Sequence, residues 1–432
     1  MKRVMIVFLV CTIVLFTGCG QEDSVSDSNS TTPPGSSAPS ASDESDTEPV
    51  SLKLVTSPYG AYNGASGKDG FYRLYPNPAG GCNMLYADYA TRSAIVLCNR
   101  LECQHRNEEC PSWFPFGTGS LFLNAAQDTL FCIGRADDAA QRADTIWSMN
   151  LNGSNRKIFY QCAPHEEIMD AIASDASYLY FSVNSIDHTT AAAEKKLLQV
   201  DLQTGESKPI HTLGPSDWLF GVCDDQLLLL YGRGTQYRYT LFSPSDGTET
   251  EVFYFENDSE KPESSLQVAQ NDGFFYVFSP NEDATAQLSK IDMVSGESEV
   301  LCDDFPWYGA SHSFIQSFYD NRMLIEVYDT RAGDPAKVRH YLYNIDCETG
   351  SYNETTLTFS QHINSSFVSV VAESPDCFVV LKGTKPVPMY LYADGSTYEA
   401  IVEVSDYAFI SKEDYWNNIP NYQDLDYTSL LS

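Results

Sequence analysis

From Ser51 onward, apolar and aromatic residues alternate with polar ones at period two, in short runs separated by turn residues. No long stretch repeats at helical spacing, so the pattern predicts strands throughout. One phrase recurs: an apolar strand, then Asp or Asn, then a glycine turn, then another strand. It reads Val200-Asp201-Leu202-Gln203-Thr204-Gly205-Glu206, Ile291-Asp292-Met293-Val294-Ser295-Gly296-Glu297 and Ile345-Asp346-Cys347-Glu348-Thr349-Gly350. Weaker copies place the anchor at Asp88, Asn150, Asp246 and Asp394. These anchors lie about 50 residues apart, the period of a propeller blade. Further runs precede each phrase, such as Tyr178-Leu179-Tyr180-Phe181 and Phe274-Phe275-Tyr276-Val277-Phe278. Four strands per copy and seven copies predict an all-β chain, a seven-bladed β-propeller of four-stranded blades over 51–432. The regular spacing makes a β-sandwich with a second domain the weaker alternative.

The recurring aspartate has a local reason. Its carboxylate can accept the N–H groups of the turn that follows, and glycine supplies the positive φ of a tight hairpin. The same aspartates could be read as calcium ligands, but no Asp-x-Asp-x-Asp-Gly loop occurs. Blade one lacks a convincing inner strand, whereas Tyr407-Ala408-Phe409-Ile410-Ser411 follows the run read as the last strand of blade seven. That C-terminal run is expected to close the ring as the inner strand of blade one.

The first 50 residues follow a different pattern. Met1-Lys2-Arg3 is basic, and Val4 to Thr17 is almost wholly apolar but too short for a relaxed membrane span. Phe16-Thr17-Gly18-Cys19 resembles the lipobox of bacterial lipoproteins, departing from it at Phe16 where Leu is usual. The resemblance implies a signal peptide over 1–18 and lipidation of Cys19, with the membrane as first partner. Residues 21–50 are Ser, Thr, Pro, Asp, Glu and Gly with few apolar residues, which predicts a disordered tether over 19–50. The expected location is the extracytoplasmic face of the cell membrane, held by lipid.

Charge removes one class of partner. The chain of 432 residues carries 26 Lys and Arg against 59 Asp and Glu, a net of -33. Nucleic-acid binding through a general basic surface is therefore excluded, because phosphate contacts need cation density.

The one dense constellation of candidate chemistry is Cys98-Asn99-Arg100-Leu101-Glu102-Cys103-Gln104-His105 through Cys110. Cys98, Cys103, His105 and Cys110 offer three thiols and an imidazole, sufficient for a tetrahedral zinc site. An oxidising compartment favours disulfides instead, and Cys82 would bring the group to four cysteines with three possible pairings. A catalytic Cys-His pair is the third reading, without a distinctive nucleophile context. Cysteines 132, 162, 223, 302, 347 and 377 fall singly in predicted strands, as small buried hydrophobes do.

The box, the lipobox, the tether and the ending Ile410-Ser411-Lys412-Glu413-Asp414-Tyr415-Trp416 together resemble a group of uncharacterised Gram-positive lipoproteins with TolB-like propeller bodies. The resemblance implies architecture and address, and it carries no catalytic residues.

Propeller topology turns loops into a surface. Links from strand two to three share a face with the links between blades. The former are assigned to 76–82, 135–145, 184–196, 232–238, 279–287, 329–340 and 382–388, and they carry Arg233, Arg238 and Arg331. The latter add Trp113, Trp218 and Trp307. Basic side chains beside rings suit an acidic glycan or peptide, or a neutral sugar stacked on Trp. The competing reading packs the rings between blades and balances each cation with a local acid. The chain has no Gly-x-Ser-x-Gly elbow and no His-Glu-x-x-His, and its histidines are scattered. The expectation is a binding or scaffold module for an envelope protein or glycan. A propeller-type glycan lyase or hydrolase, or an envelope assembly factor, is the alternative.

Overall fold

The structure is a computed structural model and describes residues 50–427 and 430, apart from 57–63, 78–79, 116–118, 135–142, 188–191, 262–264, 309–313, 330, 332–337, 362–363 and 394–395. The signal segment, Cys19 and the tether thus lie outside the described residues. The body is a seven-bladed propeller of antiparallel four-stranded sheets. Blade 1 runs from Gly64–Ser66 to Ser93–Val96, blade 2 from Gly119–Leu123 to Lys157–Gln161, and blade 3 from Glu166–Ser174 to Ser207–Leu213. Blade 4 spans Asp217–Cys223 to Glu249–Glu256, blade 5 Gln267–Asn271 to Ser298–Pro306, and blade 6 Phe314–Tyr319 to Tyr352–Thr355. Blade 7 begins at Ser369–Glu373 and ends at Gln423–Leu425.

A four-stranded sheet has two faces to cover, and in a ring each face meets the next blade. The core accordingly divides into seven hydrophobic clusters among the described residues, one at each joint between neighbouring blades. The joint between blades 7 and 1 packs Phe71, Tyr75 and Leu85 against Val379, Tyr407 and Phe409. Ser66 Oγ also donates to the Glu373 carbonyl at 3.0 Å across that joint.

This packing corrects the expected closure. Blade 1 has its own inner strand, Gly64–Ser66, and Tyr407–Ser411 is the end of the third strand of blade 7, Ser396–Ser411. The ring closes by side-chain packing rather than by a shared strand. The seventh loop assignment changes with it. Residues 382–388 lie within the second strand, Cys377–Ala393, which pairs there with the third. Pro386 and Pro388 had the look of a loop because proline cannot donate to a ladder, yet an edge strand accommodates it. The anchor at Asp394 lies outside the described residues, and the other six anchors end or follow the third strand of their blades.

At five of those six turns an aspartate carboxylate accepts turn N–H groups, while Asn150 donates its Nδ2 to Ser154 Oγ. Gln203 and Thr204 donate backbone N–H groups to Asp201 Oδ1 at 2.9 and 2.8 Å, and Gly205 takes φ 73°. Asp292 and Asp346 repeat the pattern with Val294 and Ser295, and with Glu348 and Thr349. The Thr204 N–H holds the Asp201 carboxyl below its ordinary range.

One strand was not foreseen. Lys53–Leu54 adds to the inner edge of blade 3, pairing with Ser174 and Ala173 inside the ring. Val55 N–H continues the contact to the Ile172 carbonyl at 2.8 Å, and Leu52 buries its side chain between blades 3 and 4.

Candidate metal centre and binding face

The cysteine box is an insertion into the outer strand of blade 1. Ser93–Val96 pairs with Leu85–Asp88 of the third strand, and Trp113–Phe114 resumes the pairing at Asn83 and Cys82. The chain leaves and returns at one residue: Leu97 N–H donates to the Met84 carbonyl at 2.9 Å, and Met84 N–H donates to the Ser112 carbonyl at 2.8 Å. Residues 98–111 are thus a loop whose two ends the sheet holds together.

Inside this loop, the ligand atoms of Cys98, Cys103, His105 and Cys110 all lie within 4.8 Å of one another. Donors about 2.3 Å from a tetrahedral zinc stand about 3.8 Å apart, so the cluster can hold a metal ion with small adjustments. Cys110 is fully buried, with His105 Nδ1 at 3.3 Å and Ser112 Oγ at 3.1 Å from its sulfur. His105 and Glu102 take left-handed φ of 57° and 61°, a backbone cost that a loop wound around a centre can offset.

A buried polar chain supports the loop from below. Asn77 Nδ2 donates to the His105 carbonyl at 2.7 Å and also to Asn83, whose own Nδ2 reaches Ser112 Oγ at 3.0 Å. Sequence reasoning missed Asn77, Asn83 and Ser112. Their signal was an Asn among the apolar residues of a strand, which is costly to bury unless it is hydrogen-bonded. Arg156 clamps the far end, donating to the Pro111 carbonyl at 3.3 Å and to the Trp113 carbonyl, with its guanidinium 4.6 Å over Phe114.

Burial pushes the Cys98 thiol up to about 11 and the His105 imidazole down. Burial also acts against the Cys103 thiolate, but the His105 N–H, the neighbouring thiols and Arg100 outweigh it, and its pKa falls below the ordinary thiol value. Cys82 is not part of the cluster. It packs with Cys132 in the core between blades 1 and 2, so the four-cysteine, two-disulfide arrangement loses a member. No disulfide joins cysteines of the described residues, and Cys132, Cys162, Cys223, Cys347 and Cys377 are buried thiols, with Cys302 half-buried.

The six side chains expected to line a ligand surface fall into three groups: Trp113 on blade 1, Trp218, Arg233 and Arg238 on blade 4, and Trp307 and Arg331 near the joint of blades 5 and 6. Trp307 is 2% exposed and stacks on Phe278 at 5.2 Å, so it belongs to the core between blades 5 and 6. Trp113 is half-buried in the return strand of the box and donates its Nε1–H to the Gly80 carbonyl at 3.0 Å. Arg233 forks onto both oxygens of Asp217, whose side chain is 1% exposed. Its charge is committed to that buried carboxylate. Arg238 lies 4.6 Å over the Tyr231 ring. Arg331 is pinned by Asp329 at 2.8 Å, and its guanidinium covers Tyr308 at 4.4 Å. Trp307 thus packs as a core ring, Arg233 and Arg331 each meet a local acid, and Arg238 packs on a ring.

Trp218 is the exception. It is 44% exposed and forms a wall of a cavity of about 340 Å³ with Met169, Ser182, Phe220 and Leu230, between blades 3 and 4. Lys195 Nζ sits 4.1 Å over the indole and donates to the Pro215 and Asp217 carbonyls at 3.0 and 2.8 Å. Desolvation lowers the Lys195 pKa, and the ammonium does not line the cavity. The indole thus carries the cation over its ring and also lines the cavity. A second pair was not foreseen: Glu326, 8% exposed, lies 3.5 Å from His340 Nδ1.

No family model matches the chain, and no curated protein matches it. Among solved structures, an oligogalacturonate lyase in complex with manganese is 15% identical, covering 84% of this chain and 92% of its own, with a TM-score of 0.46. Oligogalacturonate lyase from Vibrio parahaemolyticus is 12% identical over 83% of this chain and 95% of its own, at 0.42. TolB from Acinetobacter baumannii is 11% identical over 81% and 77%, at 0.35. Likeness at this level transfers neither activity nor ligand, and the seven-bladed fold stands on the strand pairing of this chain itself.

Proposed function

We propose that this protein is a lipid-anchored, extracytoplasmic propeller that binds a glycan at the cell envelope, with Trp218 as the stacking platform. The observation that carries the reading is the half-exposed indole over an apolar cavity whose volume falls in the range of small-ligand sites, about 300–1,000 Å³. A flat aromatic face beside Met and Leu suits the C–H face of a pyranose, and Ser182 offers a hydroxyl for orientation. Lys195 does not serve an acidic ligand here, since its ammonium is satisfied by two carbonyls. A neutral sugar ring is therefore the favoured ligand. Attachment through Cys19 and the tether would keep the propeller at the membrane while leaving it free to sample the envelope.

An array of cell-wall and host glycans probed with the full-length protein tests this. Binding to neutral glycans that falls at least about tenfold in Trp218→Ala, roughly 1.4 kcal/mol, is the expected result. Binding that survives Trp218→Ala unchanged would remove Trp218 from the site.

The second element of the proposal is a structural zinc held by Cys98, Cys103, His105 and Cys110. Three thiolates and one imidazole form a closed, four-donor set with no place left for substrate, the pattern of structural rather than catalytic zinc. The sheet already holds the ends of the loop, so metal removal is expected to act locally. Treating the protein with a strong chelator should release one zinc per chain and open 98–111 to protease, while the far-UV spectrum of the blades persists. Cys103→Ser and Cys110→Ser should lower the metal content. A protein that contains no metal as purified, and takes up none after reduction, would contradict the assignment.

A further inference from the structure

Blade 7 differs from the other six blades in one respect that the glycan reading leaves unused. Its second and third strands run for 17 and 16 residues, far past the rest of the sheet. The first strand pairs only with Phe378–Leu381, and the fourth only with Tyr407–Phe409. Gly383–Ala393 and Ser396–Asp406 pair with each other as a two-stranded ribbon beyond the blade, with two edges.

The two edges are not equivalent. Pro386 pairs with Glu403 and Pro388 with Ile401 in an unbroken register. In an antiparallel ladder, opposed residues either exchange both hydrogen bonds or point both sets of polar groups outward. Proline has no N–H, so an intact ladder places both prolines at the outward-pointing positions. Their partners share that orientation, which directs the N–H and C=O groups of Ile401 and Glu403, and of Glu399 two residues before, away from the ribbon. One edge is thus blunted by proline, a common protection of exposed strands. The other retains a full set of donors and acceptors at 399–403, with no backbone partner beyond the second strand among the described residues, while Asp426 and Tyr427 of this chain flank 404–406, Asp426 through Lys385 and Tyr427 in the cluster of Val404.

Side chains add a direction. Glu399, Ile401 and Glu403 share one ribbon face and are exposed, Ile401 at 75%, whereas Val402 and Val404 turn toward the packed joint with blade 1. Neither glutamate has an ion-pair partner among the described residues. The pattern exposed beside the open edge is acid, aliphatic, acid at alternate positions.

We infer that the 399–403 edge is a docking site for an extended segment of another protein, added as a β-strand and carrying basic residues at alternate positions around an aliphatic one. Such a strand would lie on the raised part of the ribbon, past Asp426 and Tyr427, which follow the fourth strand Gln423–Leu425. Main-chain hydrogen bonds would supply affinity and the alternating side chains selectivity. A second copy of this chain does not fit. Antiparallel pairing of the edge about Ile401 sets Glu399 against Glu403 of the other copy, a like-charge contact on a chain of net charge -33. The inference is independent of the glycan site, which lies between blades 3 and 4.

The test uses the full-length protein and a synthetic heptapeptide with lysines flanking a central valine at alternate positions, followed by fluorescence anisotropy at low salt. The lysine peptide should bind at least about tenfold more tightly than its glutamate counterpart, and its affinity should fall as salt rises. Glu403→Pro removes an outward N–H as Pro386 does on the facing strand, so the ribbon should persist while peptide binding falls by a similar factor. Should that variant misfold, a peptide N-methylated at its pairing positions gives the same reading on the unaltered protein and should bind far more weakly than the parent. Equal binding of the two charge types, or of the N-methylated and parent peptides, would overturn the inference. Concentration-dependent dimerisation abolished by Glu403→Pro would likewise overturn it, in favour of self-association.

Discussion

A chain ending at Val404 is expected to lose its cooperative unfolding transition. The deleted segment contains the end of the third strand of blade 7, its fourth strand, and the short helix Lys412–Trp416. Tyr407, Phe409, Ile410 and Tyr415 are each no more than 2% exposed. Burial of four such side chains contributes about 6–12 kcal/mol at about 1.5–3 kcal/mol each, which rivals the whole net stability of a typical domain, about 5–15 kcal/mol. The loss also uncovers the joints with blades 6 and 1, because Tyr415 packs in one and Tyr407 in the other. Collapse would come from the loss of blade 7, since the inner strand of blade 1 is its own. Urea unfolding followed by tryptophan fluorescence checks this; a truncated chain with the midpoint and slope of the full chain would contradict it.

Replacing Trp307 by alanine should cost about 3–5 kcal/mol, the range for a large aromatic removed from a packed core. The ring stacks on Phe278 and lies close to Phe305 in the joint between blades 5 and 6. Its Nε1–H is buried with no hydrogen-bond partner among the described residues. An unmet buried donor is itself costly, by about 1–3 kcal/mol. Trp307→Phe therefore keeps most of the stacking, removes the unmet donor, and should destabilise far less than Trp307→Ala. Thermal or urea denaturation of both variants measures the difference. Neither should alter glycan binding by correctly folded protein at Trp218. A Trp307→Phe variant as unstable as Trp307→Ala would show that the indole, rather than aromatic packing, is required.

Much of the fold is legible in the sequence. The Asp-turn-Gly phrase sits at the third hairpin of blades 3, 5 and 6 because carboxylate, turn N–H groups and glycine are all within a few residues of each other. The cysteine box was visible as a donor set. Its form as a loop pinched at Met84, supported by Asn77 and Asn83, was not, because those contacts join separate strands. The closing strand was misplaced for a related reason. Pro386 and Pro388 signal a break in any local reading, and only the pairing of Cys377–Ala393 with Ser396–Ser411 shows them lying on an edge. Three tryptophans in blade links looked alike in sequence. Trp307 is buried, Trp113 is tied to Gly80, and Trp218 stands over a cavity.

The sequence by itself determined the strand period, the blade repeat and the turn chemistry, together with the thiol and imidazole donors, because each depends on residues a few positions apart. Tertiary structure alone decided which strand finishes which blade, which ring and which cation remain free, and which sheet edge stays open. Those outcomes turn on what a neighbouring blade, about 50 residues away in the chain, covers or leaves exposed, and a face or an edge acquires a partner only when the ring is assembled.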